Sequence, residues 1–125
     1  MSGFHVRINP DYGKESHSYH GYVEVHVEGV WGTVCGESWG DQQSNVACRQ
    51  LGYTGGLAYR PPKNISSPIL MDRVACNGSE SSLTSCTNHK WNAASECNFY
   101  SQRAGVFCYN DTGTVYMPRH ISLYI

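Results

Sequence analysis

The sequence predicts a small disulfide-rich α+β domain, and three observations carry that prediction. Six cysteines, Cys35, Cys48, Cys76, Cys86, Cys97 and Cys108, are present with no Cys-x-x-Cys pair among them. The run Tyr22-Val23-Glu24-Val25-His26-Val27 alternates polar and apolar residues and is followed, after Glu28-Gly29, by Val30-Trp31-Gly32-Thr33-Val34-Cys35. After Trp39 the apolar period lengthens to that of a helix.

The cysteine spacing favours three cross-links. Zinc sites and redox centres draw on a close cysteine pair, which is missing here. Disulfides imply an oxidising compartment. Three acceptor sequons, at Asn64, Asn77 and Asn110, agree with passage through a secretory route. The expected location is therefore extracellular, as a secreted protein or the ectodomain of a membrane protein.

The alternating runs at 22–27 and 30–35 read as a β-hairpin. Gly29 supplies the positive φ that a two-residue turn requires, and Val23, Val25 and Val27 share one buried face. Asp41 is placed to cap a helix over 42–51, with Val46, Ala47, Cys48 and Leu51 near one side and Gly52 as its stop. Residues 53–68, with Gly55-Gly56 and Pro61-Pro62, read as a surface loop. Residues 68–76 and 105–108 read as strands, with cysteine-stapled loop between them.

A chain of 125 residues with no repeat, linker or low-complexity run is one domain. Its core is small, so cross-links closing loops of about 60 residues matter, at roughly 3 to 4 kcal/mol each. Charged residues are only 15% of the chain, the formal net charge is -1, and the nine Lys and Arg are dispersed. That leaves no electrostatic footprint for nucleic acid. No run approaches the length of a membrane span, so this segment does not insert in a membrane. Met1-Ser2-Gly3-Phe4-His5 lacks the apolar region of a signal peptide, which fits an excised domain or a processed fragment.

Several motifs in order then carry a family resemblance. Val30-Trp31-Gly32-Thr33-Val34-Cys35, Trp39, Val46-Ala47-Cys48-Arg49-Gln50-Leu51-Gly52, Cys76-Asn77-Gly78-Ser79-Glu80 with Leu83 and Cys86, and Ala104-Gly105-Val106-Phe107-Cys108 resemble the scavenger receptor cysteine-rich domain. The likeness covers about residues 5–109, leaving 1–4 as an N-terminal extension and 110–125 as a tail or linker. Tyr53 stands where the eight-cysteine form has another cysteine, so the six-cysteine form, group A, is the one resembled. The resemblance implies bridges Cys35 to Cys97, Cys48 to Cys108 and Cys76 to Cys86, where spacing alone allows 15 pairings. It also implies a curved antiparallel sheet cradling one short helix.

The resemblance further implies a Ca²⁺ or Mg²⁺ site built from an acidic pair after the first cysteine and a Glu after the third. Those positions are Gly36, Glu37 and Glu80 here, so Glu37 and Glu80 are the candidate metal ligands of a site degraded by Gly36. No cofactor is required, and Ca²⁺ is the possible one. Asp72 keeps a further acidic position, while Gln102-Arg103 replaces an acidic pair common in the family. Tyr59, Arg60, Lys63 and Arg103 are the candidate ligand-binding residues, since an aromatic beside Arg in a loop suits interface chemistry. Trp31 and Trp39 read as core. His17 and His20 lie three apart without a third ligand nearby.

Gly36-Glu37-Ser38-Trp39-Gly40 matches the Gly-x-Ser-x-Gly nucleophile elbow, but its strand belongs to a hairpin and no base is in view, so it reads as a turn. The chain is expected not to be an enzyme. It reads as an extracellular binding module of a scavenger-receptor-like or innate-immune protein, taking proteins, polyanions or microbial surfaces as partners. The alternatives are an accessory domain of a secreted enzyme, lysyl oxidase-like or a mosaic serine protease, and an adhesion or self-assembly domain.

Overall fold

The computed structural model describes residues 5–9, 19–60, 67–87, 90–91 and 103–110. Among the described residues the strands, in chain order, are β1 (His5–Asn9), β2 (His20–Val27), β3 (Val30–Val34), β4 (Gly55–Tyr59), β5 (Ile69–Asp72), β6 (Lys90–Trp91) and β7 (Gly105–Tyr109), with one α-helix, α1 (Asp41–Gln50), and a single 3-10 turn at Leu83–Ser85. They form one seven-stranded sheet in the order β4-β7-β2-β3-β5-β6, and β1 pairs with β2 off that path. All pairings are antiparallel except β3 with β5, which are parallel.

The hairpin forms where its local chemistry asks for it. Val27 faces Val30, and the two turn residues, Glu28 and Gly29, have φ of 51° and 85°. Positive φ at both central positions defines a type I′ turn, whose twist matches that of the flanking strands. Val23 and Val25 are fully buried, while Val27 is only half-buried at the edge of the core. The opposite face of β2 is also covered: Tyr22 and Glu24 are buried. Arg7 Nε donates to Glu24 Oε1 at 2.7 Å and Asn9 Nδ2 donates to Glu24 Oε2 at 3.0 Å, tying β1 to β2. The Arg7 guanidinium also lies 3.9 Å from the Trp31 ring centre. A buried carboxylate is tolerable with such charge-assisted partners.

The helix starts one residue earlier than expected. Gly40 is the cap; its N–H donates to Gln43 Oε1 at 3.0 Å. Asp41 is the first helical residue, and its carboxylate accepts from Ala58 N–H at 2.7 Å. At the other end Gly52, at φ +100°, ends the helix with Gly52 N–H to Arg49 O and Tyr53 N–H to Cys48 O. That pair of bonds is a Schellman motif. Val46, Ala47 and Cys48 face the core, and α1 packs on β4 and β7. Trp39 is buried there, its Nε1–H shared between Ser44 Oγ and Gly105 O.

The loop reading of 53–68 is corrected over Gly55–Tyr59, which forms β4 in register with β7. The two glycines serve close approach and not a turn. The β4 edge is closed by the helix: Asn45 Oδ1 accepts from Gly56 N–H and Asp41 from Ala58 N–H. Such capping removes the bare backbone edge that invites strand addition. β1 was not expected from the sequence. The 68–76 strand is shorter than expected, ending at Asp72 before Arg73 at φ +52°.

Disulfides join Cys48 to Cys108, 60 residues apart, and Cys76 to Cys86, 10 apart. Cys35 is also disulfide-bonded, and its expected partner Cys97 lies outside the described residues.

Candidate functional site

One end of β5 and the turn after β3 bring two acids together. Cys35 N–H donates to Met71 O at 2.9 Å, which sets the Gly36–Trp39 turn beside the end of β5. Trp39 N–H closes that turn on Gly36 O at 3.1 Å, with Ser38 at φ +70°. As a result carboxylate oxygens of Glu37 and Asp72 lie within 4.8 Å of each other and of Cys35 Sγ. The sulfur is already in a disulfide, so the carboxylates are the available donors.

Asp72 is fully buried, and neither of its side-chain oxygens has a hydrogen-bond partner among the described residues. Glu37 Oε1 is likewise buried and without a hydrogen bond. Arg73 Nε is 3.9 Å from that oxygen, an ion pair beyond hydrogen-bond length between half-exposed side chains, and such pairs contribute little. Burying an ionised carboxylate without partners is costly, and a bound cation offsets that cost. Both acids also adjoin a residue in the left-handed region, Ser38 next to Glu37 and Arg73 next to Asp72. Backbone strain of this kind tends to gather at functional sites.

The two candidate metal ligands are not brought together. Glu80 sits instead beside the Cys76–Cys86 disulfide, in a cluster separate from Glu37. Its carboxylate turns back on its own loop, Oε2 accepting from Asn77 N–H at 2.9 Å and Oε1 from Gly78 N–H at 3.0 Å. The Asn77 amide above all, opposed by partial desolvation and helped by the amides of Glu80 itself, Gly78 and Ser79, holds the Glu80 carboxyl below its ordinary value. Arg49 completes the clamp, donating to Gly78 O at 2.7 Å and Glu80 O at 2.8 Å. Glu80 is a loop anchor.

The candidate ligand residues fall in different settings. Arg103 is half-buried beside Cys35, with Nε donating to Thr33 Oγ1 at 3.3 Å and Nη2 to Ser67 O at 3.4 Å. It steadies the sheet. Tyr59 sits at the end of β4 with its ring 5.5 Å from that of His20, edge to face. His20 also stacks with Phe107 at 5.9 Å. Leu57 and Phe107, paired across β4 and β7, are 47% and 39% exposed and form an apolar patch that the loop reading hid. Arg60 is exposed. Lys63, Asn64, Cys97 and His17 lie outside the described residues, as does the Trp91 side chain. Of the other sequons, Asn77 is exposed, and Asn110 is exposed with its Oδ1 accepting from Thr54 at 3.0 Å.

Asp72 is the site residue that sequence reasoning left outside its site. Its signal was an acid closing the apolar run Ile69-Leu70-Met71, where a charge is costly without a purpose.

A sheet curled around one helix, fixed by disulfides between α1 and β7 and within the 76–86 loop, defines a small extracellular module. Residues 13–109 match the model of the scavenger receptor cysteine-rich domain, and the chain belongs to that family. It is 39% identical over 103 residues to galectin-3-binding protein of Mesocricetus auratus, covering 78% of this chain and 17% of that protein. It is 36% identical over 113 residues to lysyl oxidase homolog 4 of Homo sapiens, covering 88% of this chain and 15% of that one. The chain thus spans less than a fifth of these curated relatives. Among solved structures, the third such domain of murine neurotrypsin superposes with a TM-score of 0.69 at 36% identity, over 85% of this chain and 96% of that one. The domain of mouse MARCO, in a dimeric form, gives 0.62 at 31%, over 86% and 90%. The family, together with the disulfides, places the chain outside the cell. Among the described residues no helix is long and apolar enough to cross a membrane.

Proposed function

We propose that this domain is a non-enzymatic ligand-binding module whose binding edge is the Glu37–Asp72 end of the sheet, acting with a divalent cation. The observation that carries this reading is the Asp72 carboxylate, fully buried with both oxygens unpartnered among the described residues. Hard cations take oxygen ligands, so Asp72 and Glu37 are of the right chemistry to hold Ca²⁺ and leave most of its shell to water and ligand. When bound, such an ion supplies positive charge that links the protein to an anionic ligand. Arg73 sits next to that edge, while Arg103 is committed to Thr33 and Ser67. Ser38, at φ +70°, lies in the left-handed region, and that turn presents Glu37 at the edge.

The partners are extracellular proteins or polyanionic and microbial surfaces. A second reading, an accessory domain of a secreted oxidase, is favoured by the 36% identity to lysyl oxidase homolog 4 across 88% of this chain. Binding to an immobilised sulfated polysaccharide, measured with and without EDTA, tests the first reading. We expect affinity to fall about tenfold in EDTA and to return with Ca²⁺, as the loss of one charge-assisted contact implies. Binding indifferent to EDTA yet weakened by salt would assign the ligand to Arg and Lys side chains directly.

A further inference from the structure

Asn77, exposed on the loop closed by Cys76–Cys86, is followed directly by Gly78. Asparagine followed by glycine is the sequence most prone to spontaneous cyclisation, because glycine puts no side chain in the way of the attacking amide. Here both amide N–H groups of the pair and the Gly78 carbonyl are held. Asn77 N–H and Gly78 N–H both donate to the Glu80 carboxylate, at 2.9 and 3.0 Å. Gly78 O accepts from Arg49 Nη1 at 2.7 Å, and Gly78 is fixed at φ +106°. Arg49 is anchored on α1, and the loop is closed by Cys76–Cys86. The Asn77 side chain, by contrast, is exposed and makes no hydrogen bond among the described residues.

We propose that Asn77 is a deamidation site held shut by the Glu80–Arg49 clamp. In the reaction, Gly78 N loses its proton to solvent base and attacks Asn77 Cγ. The new C–N bond closes a succinimide ring, and the Cγ–Nδ2 bond breaks as Nδ2 takes a proton back from solvent and leaves as ammonia. Water then opens the ring at either carbonyl, giving Asp or iso-Asp at position 77. Two features of the clamp oppose the attack. The Gly78 nitrogen cannot be deprotonated without giving up its bond to the carboxylate, and Arg49, by holding Gly78 O and Glu80 O, keeps that carboxylate on the amide. Once formed, iso-Asp adds a methylene to the backbone of a ten-residue disulfide loop and places a second carboxylate beside Glu80, so the clamp does not re-form. The same change destroys the Asn77 sequon. A glycan on Nδ2 would itself block the reaction, so the susceptible form is the unglycosylated chain.

The test uses unglycosylated, disulfide-intact protein aged in warm, mildly alkaline buffer, with the 76–86 peptide mapped for Asp and iso-Asp. The wild type is expected to react about tenfold or more slowly than the reduced, unfolded chain, and Glu80→Ala to recover most of that difference, since a charge-assisted hydrogen bond is lost. Arg49→Gln, which leaves Glu80 in place, is expected to accelerate the reaction less. Native disulfide pairing of each variant, checked in parallel, separates loss of the clamp from loss of the fold. Equal rates in folded and unfolded wild type would overturn the proposal. So would a Glu80→Ala variant, natively paired, that reacts no faster than wild type, which would make the carboxylate a bystander or a base.

Discussion

Replacing both Cys48 and Cys108 by Ala is expected to destabilise the domain by about 4 kcal/mol on the chain-entropy account of a cross-link closing 60 residues. The bridge ties α1 to β7 across the middle of the core, and both cysteines are buried. A domain of this size has only about 5 to 15 kcal/mol to lose, so the double variant should unfold at much lower denaturant with an altered slope. The Cys76–Cys86 bridge closes 10 residues, and its removal should cost less, about 3 kcal/mol on the same account. A loss below about 1 kcal/mol for the first pair would mean that the core holds α1 on the sheet unaided.

Gly56→Ala is expected to cost about 3 kcal/mol, at the upper end for one added methyl group in a packed interior. A Cβ at this position would stand 2.2 Å from Cys48 Sγ and 2.9 Å from Ser44 O. The first neighbour is fixed by its disulfide and the second is helix backbone, so neither can give way. The strand must move off the helix, and with it go the bonds from Gly56 N–H to Asn45 and from Ala58 N–H to Asp41. Leu57→Ala, next door but 47% exposed, should stay within about 0.5 kcal/mol of wild type. Equal effects at the two positions in urea unfolding would contradict the packing described here.

These contrasts mark what could be read from sequence. The β2–β3 hairpin and α1 were legible because their signals are local: Glu28-Gly29 between alternating runs, and an apolar stripe ended by Gly52. β4 was not, because Gly55-Gly56 looks the same whether glycine makes a turn or admits a helix against a strand. β1 escaped notice because its pairing with β2 depends on contacts such as Arg7 with Glu24, 17 residues apart. The candidate site shows the same division. Glu37 and Asp72 are individually visible, but their meeting depends on the hydrogen bond from Cys35 N–H to Met71 O. Glu80 carries the family's acidic position, yet no spacing rule shows a carboxylate turning back on the amides two and three residues before it. Arg103 looks like a free surface cation in the sequence and is a strut between Thr33 and Ser67 in the fold.

The central claim, that Asp72 and not Glu80 is the heart of a cation-assisted edge, is tested most directly by calorimetric titration of Ca²⁺ into metal-stripped wild type, Asp72→Asn and Glu80→Gln. The wild type should bind with a dissociation constant on the order of 0.1–1 mM, as weak extracellular sites do. Asp72→Asn should abolish the heat of binding and Glu80→Gln should retain it. Binding that survives Asp72→Asn but disappears in Glu80→Gln, or no binding by the wild type in this range, would contradict the account.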